Sequence, residues 1–533
     1  MVNQRSSSRL IHSLLAIFII SFSASSIAQI NDRVYNVQDF GALPDTHSIS
    51  TNSIQAAIDS CYRQGGGTVF FPAGSYISGT IILKDNVVLH LEAEATLYAS
   101  RNIDDYLAPL QDATRPVFIY ANGAKNIGVK GLGEINGNAR RIYEDLRKVD
   151  NFIQDITENA RKSGVEMKQY YVVPPDVSMF IFYNCQDITM EGVSLVESSF
   201  WTLHMIRCQR ILIQNMSIYS SLEKGVNADG IDMNSCRDVI IKNCKITTGD
   251  DAIALKTRYE EPCENICVSN CVLSSSSTAL KLGTESFGDF RDIRFENCQV
   301  LNSNRGLSIV LRDGGTAENV VFSNINIECK RRHFNWWGNG DPIWIYLTKK
   351  YPKKSKAGYI KDIVFENISA KGMGTSRIES TEGMRIENIL FTNVNLEMHQ
   401  EDFPDKRADH AFYASDVNGL ILKNCKVSWD EENTEEKWGS ALYIAQCSEV
   451  VVENFLGRQG LLDSDIPALV LSNTSNVSIE NFVSDPSTKT VVAVNGPESK
   501  DIALINIQQL RNDQKRMRVH SNVIGKQSIQ LIR

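Results

Sequence analysis

One short pattern returns eleven times along this chain, and it leaves few folds open. "RILIQNMSI", "DVIIKNCKI", "DIRFENCQV", "DIVFENISA", "NILFTNVNL" and "NVSIENFVS" are six of its copies. The first apolar residues of the eleven are Ile211, Val239, Ile266, Ile293, Val320, Ile363, Ile389, Leu420, Val450, Val477 and Ile502. Intervals run from 25 to 31 residues, with one of 43 that holds an insertion. Four residues after every anchor stands an asparagine: Asn215, Asn243, Asn270, Asn297, Asn324, Asn367, Asn393, Asn424, Asn454, Asn481 and Asn506.

Apolar residues alternating with period two mean short strands with one face buried. An asparagine after each strand suits a tight bend, because its side chain tolerates left-handed backbone and bonds to neighbouring main chain. A single repeat cannot bury its own apolar face, whereas stacked repeats share a continuous core. These constraints predict an all-β, right-handed parallel β-helix in which the asparagines form a column of bonded amides. Leucine-rich repeats are the nearest competitor, but their LxxLxL pattern is absent. Weaker copies anchored at Ile127 and Ile188, with Gly131 and Gly192 at the bend, extend the solenoid towards the N-terminus.

A repeat architecture also accounts for 533 residues without several separate domains. With 42% hydrophobic and 22% charged residues, the chain is of ordinary globular composition. Its net charge of -8 supplies no global field for nucleic acid, so an anionic partner needs a local cluster of bases. The twelve cysteines are too sparse for a disulfide scaffold. Cys244, Cys271 and Cys298 recur every 27 residues inside strand patterns and read as small buried hydrophobes, with a few disulfides left open. No CxxC pair or HExxH points to zinc, and neither a metal nor a cofactor is expected.

The first 28 residues read as an export signal. Arg5 and Arg9 precede an apolar run from Leu14 to Phe22, and Ser26-Ile27-Ala28 offers a small-x-small cleavage pattern. That run is too short to span a bilayer. An exported monomer, periplasmic or extracellular, with no integral membrane segment after signal removal, is the expectation. Residues 29–110 then form an N-terminal cap and the first strands, with a helix from Thr51 to Arg63 ending at Gly65-Gly66-Gly67. Residues 111–533 form the solenoid, interrupted by a charged insertion at 137–172 and a basic, tryptophan-bearing one at 328–358.

Within the repeats, "NADGIDMN" and "GDDAIALK" hold most of the acidic residues of the stretch from Asn227 to Thr257. Laid coil on coil at an offset of 22, Asp229 falls beside Asp251, Ile231 and Ile253 point inward, and Asp232, Ala254, Asn234 and Lys256 point outward. Asp229, Asp250 and Asp251 should therefore cluster on one surface. Carboxylates so close repel one another, and at least one pKa should rise. A protonated acid beside ionised carboxylates is what glycosidic bond cleavage needs. Ordinary turn aspartates, or a calcium site, are the competing readings.

The pair "NADGID" and "GDDAIALK" resembles the signature of glycoside hydrolase family 28, the polygalacturonase-like pectin hydrolases. "VQDFGALPDT" and "IQAAIDSCYRQGGGTVFFPAGSY" are similar to the start of that family, and the resemblance runs from Val34 to Glu328. It implies an inverting hydrolase in which Asp250 is the general acid and Asp229 and Asp251 activate water. The generic inverting geometry sets acid and base roughly 6.5–9.5 Å apart. The family's usual Gly-His-Gly reads Ser277-Thr278-Ala279 here, and its Arg-Ile-Lys reads Ser308-Ile309-Val310. "TALKLGTES" and "GLSIVLRDGG" are similar instead to a bacterial branch with varied substrates, which favours another pectin-derived linkage over plain polygalacturonate.

Other residues in register could bind substrate. At an offset of 27, Arg305 lies over Thr278 and Thr278 over Asp251, while Lys281 faces outward beside Ala254. Lys281, Arg305 and Arg312 are candidates to hold a uronate carboxylate, with a Glu285–Arg312 surface ion pair as the alternative for the last. His204 aligns with Asp232 at an offset of 28 and is a candidate hydrogen-bond donor rather than a catalytic group. Asp232 is a further candidate for substrate binding, with orientation of its neighbouring acids as the alternative. Trp336 and Trp337, beside Arg331, Arg332 and His333, suit sugar rings bearing carboxylates, or else pin their loop to the solenoid. The expected substrate is a pectic poly- or oligosaccharide containing galacturonic acid, with rhamnogalacturonan-derived material included. A polysaccharide lyase or a non-catalytic carbohydrate-binding β-helix are the alternatives.

Overall fold

The computed structural model describes residues 32–109, 115–139, 176–332, 338–381, 384–404 and 406–509, with short pieces between 143 and 172 and between 517 and 532. The leader-like residues 1–28, the tryptophans Trp336 and Trp337, and most of the 137–172 insertion lie outside them.

Helix α1 (Thr51–Arg63) buries Ile54, Ala57, Ile58 and Cys61, one face at helical spacing. The three glycines that end its turn, Gly65, Gly66 and Gly67, all have positive φ. Gln55 on α1 bonds both the N–H and the C=O of Ile82, tying the helix to an early strand.

Beyond it the chain winds as a right-handed parallel β-helix. Two sheets, one of 27 strands and one of 15, hold every described strand except a hairpin of two short ones. The larger sheet folds in two along the asparagine column. All eleven asparagines have φ between 50° and 57°, the left-handed region the sequence pattern called for. Their amides bond from coil to coil, for example Asn367 Nδ2 to Asn324 Oδ1 at 3.0 Å and Asn393 Nδ2 to Asn367 Oδ1 at 2.9 Å. Gly131 and Gly192 take the same bend with positive φ. A second left-handed column stands one residue before each anchor and was not foreseen. It includes Asp238, Asn265, Asp292, Asn319, Asp362 and Asn388, and Asn265 donates to Asp238 at 2.6 Å.

Inside, the anchors and their alternate neighbours are buried. Phe295, Phe322, Phe365 and Phe391 stack at 4.7–5.0 Å on successive coils, each contact adding about 0.5–1.5 kcal/mol beyond its buried area. Cys244, Cys271 and Cys298 are buried as expected, and all twelve cysteines are free thiols, so no disulfide staples the coils.

The smaller sheet carries the residues of interest on its outer face. Nine of its strands matter here: β1 (Leu203–Ile206), β2 (Ile231–Asn234), β3 (Ile253–Thr257), β4 (Thr278–Ser286), β5 (Arg305–Leu311), β6 (Asp341–Leu347), β7 (Ser376–Ser380), β8 (Phe412–Ser415) and β9 (Leu442–Ala445). All pair in parallel, in chain order. Strand β6 corrects the reading of 328–358 as one excursion: Ile343, Ile345 and Leu347 alternate into the core, so the stretch contains a full rung, with excursions before and after it.

Candidate active site

Register places the predicted residues. Ile231 pairs with Ile253 and Asp232 with Ala254, which sets Asp229 beside Asp251 at the entrances of β2 and β3. His204 pairs with Asp232, Ala254 with Lys281, and Thr278 with Arg305, all as the coil offsets required. Two glycines let the acidic turns pack this closely. A Cβ on Gly230 would stand 2.5 Å from the Ala252 carbonyl, and one on Gly249 2.3 Å from that of Gly225. The turn at Asp250 is clamped from both sides, because the hydroxyls of Thr248 and Ser275 donate to its carbonyl at 2.8 and 2.7 Å.

Asp229, Asp250 and Asp251 come together, each offering a carboxylate oxygen within 4.8 Å of the others. This is tighter than the roughly 6.5–9.5 Å gap of the generic inverting arrangement, so that expectation is not met. All three are buried, with Asp250 the most accessible at 8%.

Their surroundings divide them. Burial raises Asp250 well above the usual carboxylate range, and the charges of Asp229 and Asp251 raise it further; the lysines nearby do not offset this. Asp250 is therefore the carboxyl of the three most disposed to keep a proton. Burial also acts on Asp251, but Lys281 and Lys256, with hydrogen bonds from Lys281 and Ser277, more than offset it and leave Asp251 below the ordinary value. Both Asp251 oxygens are occupied: Oδ1 accepts from Ser277 Oγ at 2.8 Å and Thr278 N at 3.1 Å, and Oδ2 from Lys281 Nζ at 2.6 Å. Ser277 and Thr278, which stand where the family's Gly-His-Gly would, thus grip one of the acids. Asp229 is raised by burial against the pull of Lys256, whose Nζ donates to Oδ2 at 3.0 Å; among the described residues Oδ1 has no hydrogen-bond partner.

The remaining candidates separate. Asp232 is fully buried, and burial followed by the charge of Asp229 pushes it well up. Lys256 Nζ lies 2.8 Å from its Oδ1 without the alignment of a hydrogen bond. His204 is buried, its ring edge-on to Trp201 at 4.7 Å and its Nε2 without a partner, and burial drives its pKa well down. It is a neutral side chain within the wall. Lys281, read as a grip for substrate, instead holds Asp251, because its stem reaches back one coil. Arg305 Nε donates to Asp341 Oδ2 at 2.9 Å while its guanidinium lies 3.6 Å over Trp344, two rungs from Asp251. Arg312 donates to Thr284 Oγ1 at 3.0 Å, and among the described residues it makes no ion pair with Glu285. Glu285 is half-buried and, although desolvation acts against its charge, is held below the usual range chiefly by Lys256.

Three side chains went unassigned in the sequence. Lys256 was placed outward but given no role. Trp201 aligns with Asp229 at the same 28-residue offset that finds His204. Trp344 alternates with Ile343 and Ile345, the signal of an outward residue. Among the described residues no helix is long and apolar enough to cross a membrane.

Comparison with known proteins agrees with this arrangement. The family model described as "Glycosyl hydrolases family 28" matches residues 68–411. A probable polygalacturonase of Vitis vinifera is 27% identical over 229 residues, 42% of this chain and 44% of that protein. An exo-poly-alpha-D-galacturonosidase of Dickeya chrysanthemi is 24% identical over 252 residues, 42% of this chain and 41% of its own length. The chain thus spans less than half of these relatives. Among solved structures, a hyperthermoactive exopolygalacturonase from Thermotoga maritima superposes with a TM-score of 0.56 at 25% identity, covering 69% of this chain and 88% of that one. A family 28 exopolygalacturonase from Yersinia enterocolitica gives 0.59 at 20% identity, covering 80% and 78%, and speaks to the fold. With the family model matched over more than half of its length and its acidic signature assembled on one face of a parallel β-helix, this chain belongs to glycosyl hydrolases family 28.

Proposed function

We propose that this protein is an exported hydrolase that cleaves a glycosidic bond beside galacturonic acid in a pectic glycan, releasing sugar from a chain end. The reading is carried by one cluster of three buried carboxylates in which burial and neighbouring charge push Asp250 up, while Lys281 and Ser277 grip Asp251 and hold it down. General acid catalysis needs the first and activation of water needs the second. Export rests on the leader-like residues 1–28, and action at a chain end on the names of the exo-acting relatives.

Asp250, clamped by its own turn, donates its proton to the glycosidic oxygen as the bond breaks. Water is activated by Asp229 and Asp251. Asp251 has both oxygens occupied, so the oxygen free to receive the water's proton is Asp229 Oδ1. Three hydrogen bonds on Asp251 blunt it as a nucleophile, which supports single displacement with inversion even at the short spacing. Arg305, braced by Asp341 and Trp344, is the cation best placed for a uronate carboxylate, and its alignment with Thr278 sets it two rungs, about 10 Å, from Asp251.

The test is a panel of pectic oligosaccharides with the released sugar identified and its anomeric form followed by proton NMR. Galacturonate should appear with the configuration opposite to that of the cleaved bond, unaffected by chelator and without ultraviolet absorbance. A rise in absorbance would assign a lyase instead, and retention would overturn the single displacement.

A further inference from the structure

Lys256 is the most enclosed cation near the acidic trio. Its side chain is 5% exposed, and its ammonium lies 3.0 Å from Asp229 Oδ2, 2.8 Å from Asp232 Oδ1 and 3.8 Å from the centre of the Trp201 ring. Three elements converge on it: the turn into β2 brings Asp229, β2 itself brings Asp232, and the segment before β1 brings Trp201. A buried ammonium is costly unless paired, and an aromatic face adds attraction where water is excluded. Here both compensations are present, so the ammonium is held at one point rather than free to reach substrate.

We propose that Lys256 is a positioning residue: by fixing Asp229 Oδ2 against the Trp201 wall, it leaves Oδ1 as the acceptor for the proton of the attacking water. The proposal rests on the hydrolytic reading above. Asp251 has its own ammonium in Lys281 and needs no help from Lys256 to stay bonded. Asp229 has Lys256 as its one hydrogen-bond donor among the described residues. Lys256 thereby assigns the two oxygens of Asp229 different tasks.

The groups that face Lys256 electrostatically are Asp229, Asp232, Glu285 and Asp251. Asp250, His204 and Glu285 feel its charge in turn, and Lys281 and Arg258 act on the same neighbours. Burial works against its charge, but the four acids outweigh that and keep it an ammonium. Removing the ammonium makes Asp229 easier to protonate. The base must be ionised to work, so the acid limb of kcat/KM against pH should move to higher pH.

The experiment compares Lys256→Met, Lys256→Gln and Lys256→Arg with wild type on the pectic oligosaccharide that wild type cleaves fastest, with melting curves as the folding check. K256M should lower kcat about a hundredfold with KM nearly unchanged, and its acid limb should rise by a unit or more. K256R should keep the limb near its wild-type position, because the charge remains. In an Asp229→Asn background, K256M should cost little further activity, since its effect runs through Asp229. A folded K256M with an unshifted acid limb, or one that lowers D229N activity by the same factor as wild type, overturns the proposal. If K256M does not fold, K256Q reads the same quantity: it keeps a donor, on a shorter stem, and removes the charge, and an unshifted limb there is equally decisive. Failure of wild type on every pectic oligosaccharide would instead remove the hydrolytic reading.

Discussion

Lys281 Nζ donates to Asp251 Oδ2 at 2.6 Å, joining one coil to the next across the floor of the site. The side chain is 15% exposed and Asp251 3%, so the bond is shielded from screening. It helps hold Asp251 below the usual carboxylate range, while burial and its neighbours' charges push Asp250, the adjacent residue, well above it.

Lys281→Met should therefore raise the pKa of Asp251. In the proposed mechanism Asp251 works ionised, so activity should fall off at a higher pH on the acid side, and kcat near neutrality should drop about tenfold to a hundredfold. A pH profile of kcat/KM measures this directly. Loss of substrate affinity alone, with no shift, would return Lys281 to a substrate-binding role.

Asp250→Asn should abolish turnover, by a factor of about 10³ or more, and should also stabilise the fold in a pH-dependent way. The folded pKa of Asp250 is raised. Its neutral form is favoured below the unfolded value of about 3.9, and that stability is lost as pH rises through the folded pKa. Asparagine cannot ionise, so the melting-temperature gain of D250N over wild type should grow between pH 4 and pH 8. An equal gain at both ends would mean that Asp250 is ionised in the folded protein.

Arg305→Ala and Trp344→Leu should act together, since the guanidinium rests 3.6 Å over the indole. Each should raise KM for a uronate oligosaccharide about tenfold with kcat little changed, in line with about 1–2 kcal/mol for a shielded cation–π or charge-assisted contact. Michaelis constants on acidic and reduced, neutral oligosaccharides give the comparison. An equal effect on both would show that Arg305 does not read the carboxylate.

Asn367→Ala should destabilise the solenoid by about 2 kcal/mol. It removes two amide bonds, to Asn324 at 3.0 Å and from Asn393 at 2.9 Å, worth about 0.5–1.5 kcal/mol each. It also forces a Cβ-bearing residue without Asn's local bonds to keep φ at 55°. Asn367→Gly should recover the backbone part only. Chemical denaturation of the two variants separates the contributions.

Much of this molecule was readable because a parallel solenoid turns sequence distance into spatial adjacency. The asparagine period placed the bend after each repeat strand, and period-two alternation divided inward Ile231 and Ile253 from outward Asp232 and Lys256. Offsets of 22, 27 and 28 residues put Asp229 beside Asp251, Arg305 over Thr278 and His204 over Asp232, and the strand register has all three. The same logic would have found Trp201 and Trp344, whose outward positions follow from the register that located their neighbours. It would also have found the second left-handed column, since Asp or Asn stands before most anchors.

What register cannot say is where a long side chain ends. A backbone position fixes Cα and the face of the sheet, while four rotatable bonds decide which oxygen a lysine reaches. Lys281 and Lys256 both look outward in sequence; packing turned one onto Asp251 and the other between Asp229, Asp232 and Trp201. The 4.8 Å clustering of the trio likewise depends on how tightly Gly230 and Gly249 let two turns approach. The sequence by itself determined the β-helix and the face on which the acids stand; only the tertiary structure set which carboxyl is pushed up and which is held down, because that depends on burial and on distances of a few ångströms to two ammoniums.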